Sequence, residues 1–402
     1  MTLLGEAFPS RGSASAAEFV GQRVDKLGVV LAALAAVGLL FQPFATLKAN
    51  RILSGKALDV FDALPGAIAA PLVALILAAV LLALLRTRPT MRLAVGASAL
   101  VGVLVVIGFV PAHLVSLDNP LARVAPASGF WILVFAFTIL ITDPIAKLNL
   151  GPSARVAALA AAAMIVGGIL MSGLWSGLSV MKEYATHADS FWQDGARHVE
   201  LSLSSLALAV LVGLPLGIAC QRAPTLRDLA LPVLSIIQTI PSIAMFGLMM
   251  APLGLLAARF PLLGQFGIRG IGAAPAMIAL FLYSLLPVVA NVVVGLQQIS
   301  AGVVEAARGM GMTERQRLLR VELPLAAPFV LTGVRVVLVQ NIGLVTVAAL
   351  IGGGGFGEFV FQGLGQSATD LVLLGAVPTI ALAFVAAILM DALVEFIAGR
   401  RR

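Results

Sequence analysis

The sequence predicts an all-α polytopic membrane protein with about ten transmembrane helices. Two observations predict this class. Of the 402 residues, 60% are hydrophobic and mean hydropathy is +1.06, and several apolar runs exceed the roughly eighteen residues that a membrane-spanning helix needs. The runs are continuously apolar, whereas the strands of a membrane barrel alternate apolar and polar residues. No stretch between the runs is long enough to form a separate soluble domain.

The apolar runs predict ten spans, over residues 27–46, 63–85, 93–115, 125–143, 156–179, 198–219, 229–256, 273–298, 326–351 and 371–397. Residues 1–26 precede them. This segment is polar and carries no short apolar core followed by a cleavage site, so we interpret it as a cytoplasmic leader.

Basic residues in the loops predict the orientation of the spans. With the amino terminus inside, the inner side holds seventeen Lys and Arg residues and the outer side eight, while Arg335 falls inside a span. The first outer loop, with Lys48, Arg51 and Lys56, runs against this trend. The distribution predicts a multi-pass membrane protein with both termini in the cytoplasm. The net charge of +7 then reflects contact with lipid at the membrane surface, and it does not indicate nucleic-acid binding.

Several kinds of site are not indicated by the sequence. Cys220 is the single cysteine, which excludes an intrachain disulfide and a CxxC site. The three histidines, His113, His187 and His198, are scattered, so no metal site is predicted. No catalytic residues are predicted either, and we expect the chain not to be an enzyme.

The chain divides in character near residue 180. Residues 27–180 form an accessory region of five Ala/Leu/Val-rich spans with few polar residues. The polar stretch MKEYATHADSFWQDGARH (181–198) is predicted to lie on the outer side, before a core of five spans over residues 198–397. No repeat of 20–50 residues is visible, and the two halves show no inverted repeat of the kind found in many secondary transporters.

One dense charged segment lies between the eighth and ninth spans. Residues 303–326 read VVEAARGMGMTERQRLLRVELPLA, and the eighteen residues from Glu305 to Glu322 hold four arginines and three glutamates. Gly309 and Gly311 permit a turn after a first helix, and Thr313-Glu314-Arg315-Gln316 fits a capping box that opens a second. Pro324 is expected to end that second helix. The pattern predicts a short helical hairpin on the inner side, although an ordinary solvated positive-inside loop would also account for the charge.

The segment resembles the EAA loop of ABC-importer permeases. Glu305-Ala306-Ala307 is followed after three residues by Gly311, and after nine more by Val321-Glu322-Leu323-Pro324. Val321 departs from this pattern, in which isoleucine is common. The resemblance implies a type I ABC importer permease core in the C-terminal half, with a coupling loop at 303–325 that docks on a separate ATPase subunit. The residues that it implicates in coupling are Glu305, Ala306, Ala307, Arg308, Gly311, Thr313, Leu323 and Pro324.

The flanking sequence is similar to one branch of these permeases. QTIPSIAMFGLMMAPLG (238–254), YSLLPVVANVVVGLQQI (283–299) and VLVQNIGLVTVAALIGGGGFGEFVFQGL (337–364) resemble permeases for osmoprotectants such as glycine betaine, choline, carnitine or proline betaine. The likeness covers about residues 198–397, so the first five spans are an extension of unknown role. It implies a second permease copy or a paralogue, an extracytoplasmic substrate-binding protein, and ATP with Mg bound by the partner ATPase.

Nucleotide binding by this chain itself is not predicted. No GxxxxGK[ST] occurs, and Gly352 to Gly357, which formally contains GxGxxG, follows a long apolar span where no strand is expected. We interpret these glycines as a tight re-entrant turn.

Polar side chains inside the core spans are candidates for a translocation path, because such groups are costly in lipid and tend to face water or a partner. Interhelical hydrogen bonding is the alternative role for each. Pro241 is expected to break the seventh helix beside them. The candidates are Gln238, Thr239, Ser242, Tyr283, Asn291, Gln340, Asn341 and Thr346.

No compact aromatic cage for a quaternary ammonium is evident, since only 6% of the residues are aromatic. Tyr184, Phe191 and Trp192 cluster before the core and are interpreted as interface anchors. A separate binding protein would then supply most of the selectivity.

Three alternatives remain beside an osmoprotectant importer subunit. An ABC permease for another small solute such as an amino acid would carry the same coupling loop. An ion-coupled secondary transporter would need a carboxylate or His deep in a span, and no docking hairpin. In a scaffolding or sensor protein the first five spans would carry the function.

Overall fold

The computed structural model describes residues 25–50, 55–115, 119, 121–265 and 267–399. The expected leader at 1–26 lies almost wholly outside the described residues. The chain divides into two compact units, one comprising Met1–Asn149 with Gly168–Leu178 and the other Leu150–Gly167 with Ser179–Arg402. The structure therefore groups residues 150–167 with the second unit, although the sequence analysis placed them in the accessory region.

The first unit is mainly helical. Its helices and strands are α1 (Lys26–Ala36), continued by a π-helical turn (Val37–Phe41), β1 (Ala45–Lys48), β2 (Lys56–Leu58), α2 (Val60–Ala63), α3 (Gly66–Leu84), α4 (Pro89–Val106), α5 (Val110–Leu114), β3 (Arg123–Pro126) and α6 (Ser128–Lys147).

A small antiparallel sheet in this unit was not predicted. The strand order is β2-β1-β3, and Thr46 lies opposite both Ala57 and Ala125. Its first strand replaces the end of the predicted span 27–46. Pro43 restricts the residue before it, and Gln42 adopts extended backbone angles that end the helix at Phe41.

All the regular secondary structure in the described residues of the second unit is helical. Its elements are α7 (Pro152–Met171), whose last turn belongs to the first unit, α8 (Ser179–Thr186), α9 (Ala188–Arg222), α10 (Pro224–Thr239), α11 (Ser242–Arg259), α12 (Pro261–Gln265), α13 (Ala273–Gln297), α14 (Ala301–Gly309), α15 (Glu314–Arg317), a π-helical turn (Leu318–Glu322), α16 (Leu323–Ala348), α17 (Gly357–Gly365) and α18 (Thr369–Gly399).

Within the described part of the chain, nine helices are long and apolar enough to cross a membrane, and Lys26–Phe41 is a shorter apolar helix. The predicted span 229–256 is not one helix. Ile240, which precedes Pro241, is extended, so the chain breaks into α10 and α11. The break at Pro241 is therefore confirmed, and a single span across it is wrong.

The polar stretch at 181–198 is helical, where the sequence analysis placed an outer loop between spans. It forms most of α8 and the first turns of α9, which extends the predicted span 198–219 to 35 residues. The stretch contains no proline, so nothing in it interrupts helical hydrogen bonding.

The core of the second unit is built around α13. Its buried side chains, such as Leu280 and Val289, pack against α9, α10, α11 and α16. A side chain at Gly217 would place its Cβ 2.6 Å from Val292, so this glycine allows α9 to approach α13 closely.

Candidate functional site

The charged segment forms the predicted helical hairpin. Helix α14 ends at Gly309, and Gly311 follows in the left-handed conformation with φ of 74°. The Gly311 amide donates to the Arg308 carbonyl at 2.9 Å, and the Met312 amide donates to the Ala307 carbonyl at 3.2 Å. This pair of hydrogen bonds is a Schellman motif, which satisfies two of the carbonyls left free at the end of a helix.

The second helix of the hairpin opens with the predicted capping box. The Gln316 amide donates to Thr313 Oγ1 at 3.3 Å, and the Thr313 amide donates to Gln316 Oε1 at 2.9 Å. Both sides of the turn are therefore capped by the residues between Ala307 and Gln316 themselves, which fixes the turn without help from the rest of the chain.

Pro324 does not end the second helix, as the sequence analysis expected. The chain stays helical from Glu314 to Ile351. A π-helical turn precedes Pro324, and within it the Leu323 amide donates to the Leu318 carbonyl. Pro324 then occupies the first turn of α16, where a proline is tolerated because the missing amide falls at the start of a new α-helical register. The hairpin is thus joined to the long helix α16 without a flexible break.

One pair of the charges is internal. Arg317 Nε donates to Glu322 Oε1 at 2.5 Å, and the two side chains are only 10% and 14% exposed. Because Arg317 is paired within the chain, the arginines that can meet a partner are Arg308, Arg315 and Arg320, which are exposed.

The surface of the hairpin combines charge with small and apolar residues. Glu305, Ala306 and Arg308 are exposed on α14, and Ala307 between them is buried. Met310 at the turn is 69% exposed and Leu319 is 64% exposed. The remaining residues implicated in coupling are Gly311 and Thr313, which are exposed, and Leu323 and Pro324, which are half-buried. Such a surface suits docking into a groove that offers both carboxylate and apolar contacts.

The break between α10 and α11 is held by a tyrosine of α13. Gln238 Nε2 donates to the Tyr283 carbonyl at 2.8 Å, and the Tyr283 hydroxyl donates to the Ile240 carbonyl. The Ile240 carbonyl, which lies in the break between the two helices, thereby gains a hydrogen-bond donor. Thr239 is exposed and bonds back to its own helix, and Ser242 is half-buried at the start of α11.

The other candidates for the path occupy different environments. Asn341 is fully buried, and its Nδ2 donates to Ser205 Oγ at 2.9 Å and to Ser284 Oγ at 3.0 Å. Asn291 donates to the Pro287 carbonyl of its own helix, and Gln340 is half-buried. The Thr346 hydroxyl is buried without a hydrogen-bond partner. The structure thus brings together Gln238 and Tyr283, but it does not bring all eight candidates into one site.

A cavity of about 290 Å³ lies elsewhere in the second unit. It is lined by residues of α9, α16 and α18, nearly all of them apolar, and none of the eight candidates lines it.

Two residues of α9 that the sequence analysis did not single out as site residues hold the glycine-rich turn. Asp194 Oδ1 accepts from the Gly355 amide at 3.1 Å, and His198 Nδ1 accepts from the Phe356 amide at 3.3 Å. His198 Nε2 donates to the Ile342 carbonyl at 2.8 Å, so the imidazole is the neutral Nε2–H tautomer. Gly352, Gly354 and Gly355 all have positive φ, as a tight turn requires. The polar character of the 181–198 stretch was the available signal for these contacts.

Comparison with known proteins matches two family models to this chain. Residues 25–181 match the N-terminal domain of the ABC transporter permease YehY, and residues 210–402 match the inner membrane component of binding-protein-dependent transport systems. The matched ranges correspond to the two halves recognised in the sequence, and the first accounts for the extension before the core.

Similar proteins cover about half of this chain and most of their own length. The carnitine transport permease protein OpuCB of Listeria monocytogenes is 37% identical over 209 residues, which are 52% of this chain and 83% of that protein. The osmoprotectant import permease protein OsmW of Salmonella typhimurium is 41% identical over 189 residues, 47% of this chain and 83% of that protein. The inward-facing MetNI methionine ABC transporter matches with a TM-score of 0.45 at 20% identity, over 52% of this chain and 95% of that chain.

Proposed function

This chain belongs to the family of binding-protein-dependent ABC transport permeases, and from that premise we propose that it is the membrane subunit of an ATP-driven importer for small quaternary amines. The observation that carries the proposal is the exposed, doubly capped hairpin between Glu305 and Pro324. A solvated loop needs positive charge, but it does not need a Schellman motif, a capping box and a helical connection to the following span.

The hairpin is proposed to dock on a separate ATPase subunit, which binds ATP and Mg. Closure of two such subunits would bring two hairpins together. Because α15, the π-helical turn and α16 form one helical run, displacement of the hairpin is transmitted to α16. Opening of the path toward the outside would follow from rearrangement of the core helices, and this chain performs no bond chemistry.

The hairpin surface supports this role through three features. Glu305, Arg308 and Arg315 offer charges of both signs, Ala306 allows close approach, and Met310 supplies an exposed apolar contact. The internal pair of Arg317 with Glu322 keeps the base of the hairpin in a fixed shape.

The substrate class rests on the relatives, whose names include carnitine, choline and osmoprotectant permeases. We propose glycine betaine, choline or a similar solute for this chain. Phe191 packs edge to face against both Tyr184 and Trp192, and it also packs near Phe356. These rings fill space between themselves instead of enclosing a cation, which supports the view that an extracytoplasmic binding protein provides the selectivity.

We further propose that a second permease copy or a paralogue completes the path. Among the eight candidates for the path, a second permease could contact those that reach a surface of the described chain. These are chiefly Thr239, Ser242 and Gln340. We also propose that the hairpin, with its exposed arginines, lies on the cytoplasmic side of a bacterial inner membrane and that both termini are inside.

The proposal is tested by purifying the tagged chain from its native membrane and measuring ATP-driven uptake after reconstitution. We expect an ATPase subunit to co-purify, and labelled glycine betaine or choline to accumulate only when ATP and Mg are supplied on the hairpin side. Glu305→Lys should abolish both co-purification and uptake. Asp228→Lys is the matched control, because Asp228 is another exposed carboxylate on the predicted inner side but outside the hairpin.

Each alternative function has its own outcome. Uptake driven by an ion gradient in vesicles without ATP would identify a secondary transporter and overturn the proposal. ATP-driven uptake of an amino acid such as methionine, with none of choline or betaine, would keep the class and change the substrate.

A further inference from the structure

Four charged side chains from three helices form a cluster inside the second unit. Arg335 on α16 pairs with Asp391 Oδ1 at 2.5 Å, and Arg155 on α7 pairs with Asp391 Oδ2 at 2.9 Å. Arg155 also reaches Glu395 at 2.7 Å, and its Nε donates to the Leu150 carbonyl at 2.9 Å. Asp391 therefore uses both carboxylate oxygens to join two different helices to α18.

The cluster joins different levels of its three helices. Arg335 lies about halfway along α16, whereas Arg155 is in the first turn of α7 and Asp391 and Glu395 are in the last third of α18. A charged side chain inside a span is unfavourable in lipid, and these four side chains are 30–45% exposed. Such residues are paired where they occur, and Arg335 obtains its pair across the helix interface. Helical side chains lean toward the amino end of their helix, so Arg335 leans toward the hairpin end of α16 to meet Asp391.

Arg155 holds a helix that has little other attachment. Only 6% of the apolar window of α7 is buried, against 50% for α13. Residues 150–167 nevertheless belong to the second unit. Polar contacts of Arg155 with α18 therefore replace apolar packing as the main tie between α7 and the core.

The cluster links the hairpin to α7 through an unbroken series of contacts. The hairpin continues into α16, Arg335 of α16 binds Asp391 of α18, and Asp391 binds Arg155 of α7. From this geometry we propose that Arg155, Asp391 and Arg335 are positioning residues for transport. They make α7 a moving part of the transport core, so that displacement of the hairpin also displaces α7.

This proposal rests on the proposed function, and it adds a role for part of the region outside the usual permease core. The cluster has two basic and two acidic members, so it is neutral as a whole and does not require a further ion. Its role is to hold three helices in register, and loss of one member is expected to uncouple them without removing the path.

The test is the number of solute molecules imported per ATP hydrolysed by the reconstituted full complex. Arg155→Gln removes the tie to α7 but leaves the pair of Arg335 with Asp391 intact, so the core should still fold. We expect this ratio to fall by about five- to tenfold, at the lower end of the usual coupling between sites, with ATP hydrolysis retained. Asp391→Asn should lower it further, and Asp391→Glu should restore most of it.

The control is Arg197→Gln, which removes an ion pair with Glu200 at 2.7 Å. That pair joins two residues of one helix, so the ratio should stay at the value of the unmodified complex. A merely structural role for Arg155 would lower the yield of complex but leave the ratio unchanged, and that result would overturn the proposal. If the unmodified complex shows no ATP-driven uptake at all, the proposed function fails instead.

Discussion

Gly311 at the turn of the hairpin offers the sharpest prediction, because its substitution separates backbone strain from steric contact. Its φ is 74°, and a Cβ added there would have no heavy atom within 4 Å. The variant Gly311→Ala therefore creates no clash. Its cost is that of holding an L residue in the left-handed conformation, about 1–2 kcal/mol.

That cost converts directly into the population of the docking-competent turn. A change of 1–2 kcal/mol alters an equilibrium by a factor of about 5–30. The affinity for the ATPase subunit scales with the fraction of molecules in which this turn is formed. Where the turn is largely unformed in Gly311→Ala, the ATPase subunit should bind the variant more weakly by a similar factor. ATP-driven uptake at limiting ATPase concentration should fall in parallel.

The matched control is Gly309→Ala, two residues earlier. Gly309 is helical, has equally open space around its Cβ position, and lacks the positive φ. Alanine there should stabilise α14 by about 0.5–1 kcal/mol. The assay is titration of the reconstituted permease with its ATPase, with uptake as the readout. Equal affinities for the two variants would refute the argument that the turn conformation governs docking.

Three further predictions concern the hairpin, the break between α10 and α11, and the helix that follows the glycine-rich turn. Thr313→Ala should weaken the hairpin by about 1 kcal/mol through loss of the cap, whereas Thr313→Ser should keep uptake normal. Tyr283→Phe leaves the Ile240 carbonyl without its hydroxyl donor and should cost about 1–3 kcal/mol, seen as a lower Tm than for the control Tyr184→Phe. Burial and the nearby Asp194 charge raise the pKa of Glu358, so stability is lost as the pH rises from the ordinary pKa of 4.5 through the raised value, and the loss is complete above it. Glu358→Gln should therefore increase Tm near pH 8 but not below its ordinary pKa of 4.5, and a pH-independent effect would contradict this cause.

Local patterns in the hairpin were sufficient to predict its form. The capping box needs only Thr313 and Gln316 at the right spacing, and the turn needs only a glycine that tolerates positive φ. Both signals act within a few residues, so they could be read without knowledge of the rest of the chain. The prediction about Pro324 was wrong because a π-helical turn upstream shifts the hydrogen-bond register, and no residue pattern announces that shift.

The polar residues in the spans were harder to interpret. The sequence shows that the polar side chains of Asn341 and Gln238 are costly in lipid. It does not show whether they face a translocation path or form hydrogen bonds with neighbouring helices. The structure buries Asn341 between two serines and pairs Gln238 with the backbone beside Tyr283. The role of the eight candidates in translocation stays a prediction.

By itself the sequence determined the membrane class, most of the spans, the break at Pro241 and the capped hairpin, because hydropathy, proline and capping act locally. Only the tertiary structure decided which distant residues meet. It brought Asp391 to Arg155 and Arg335, and His198 to the turn before Phe356. It also joined the strands at 45–48 and 56–58, which are close in the chain, to the distant strand at 123–126 in one sheet. Such pairings depend on how helices and strands pack, and a single sequence carries no direct record of that packing.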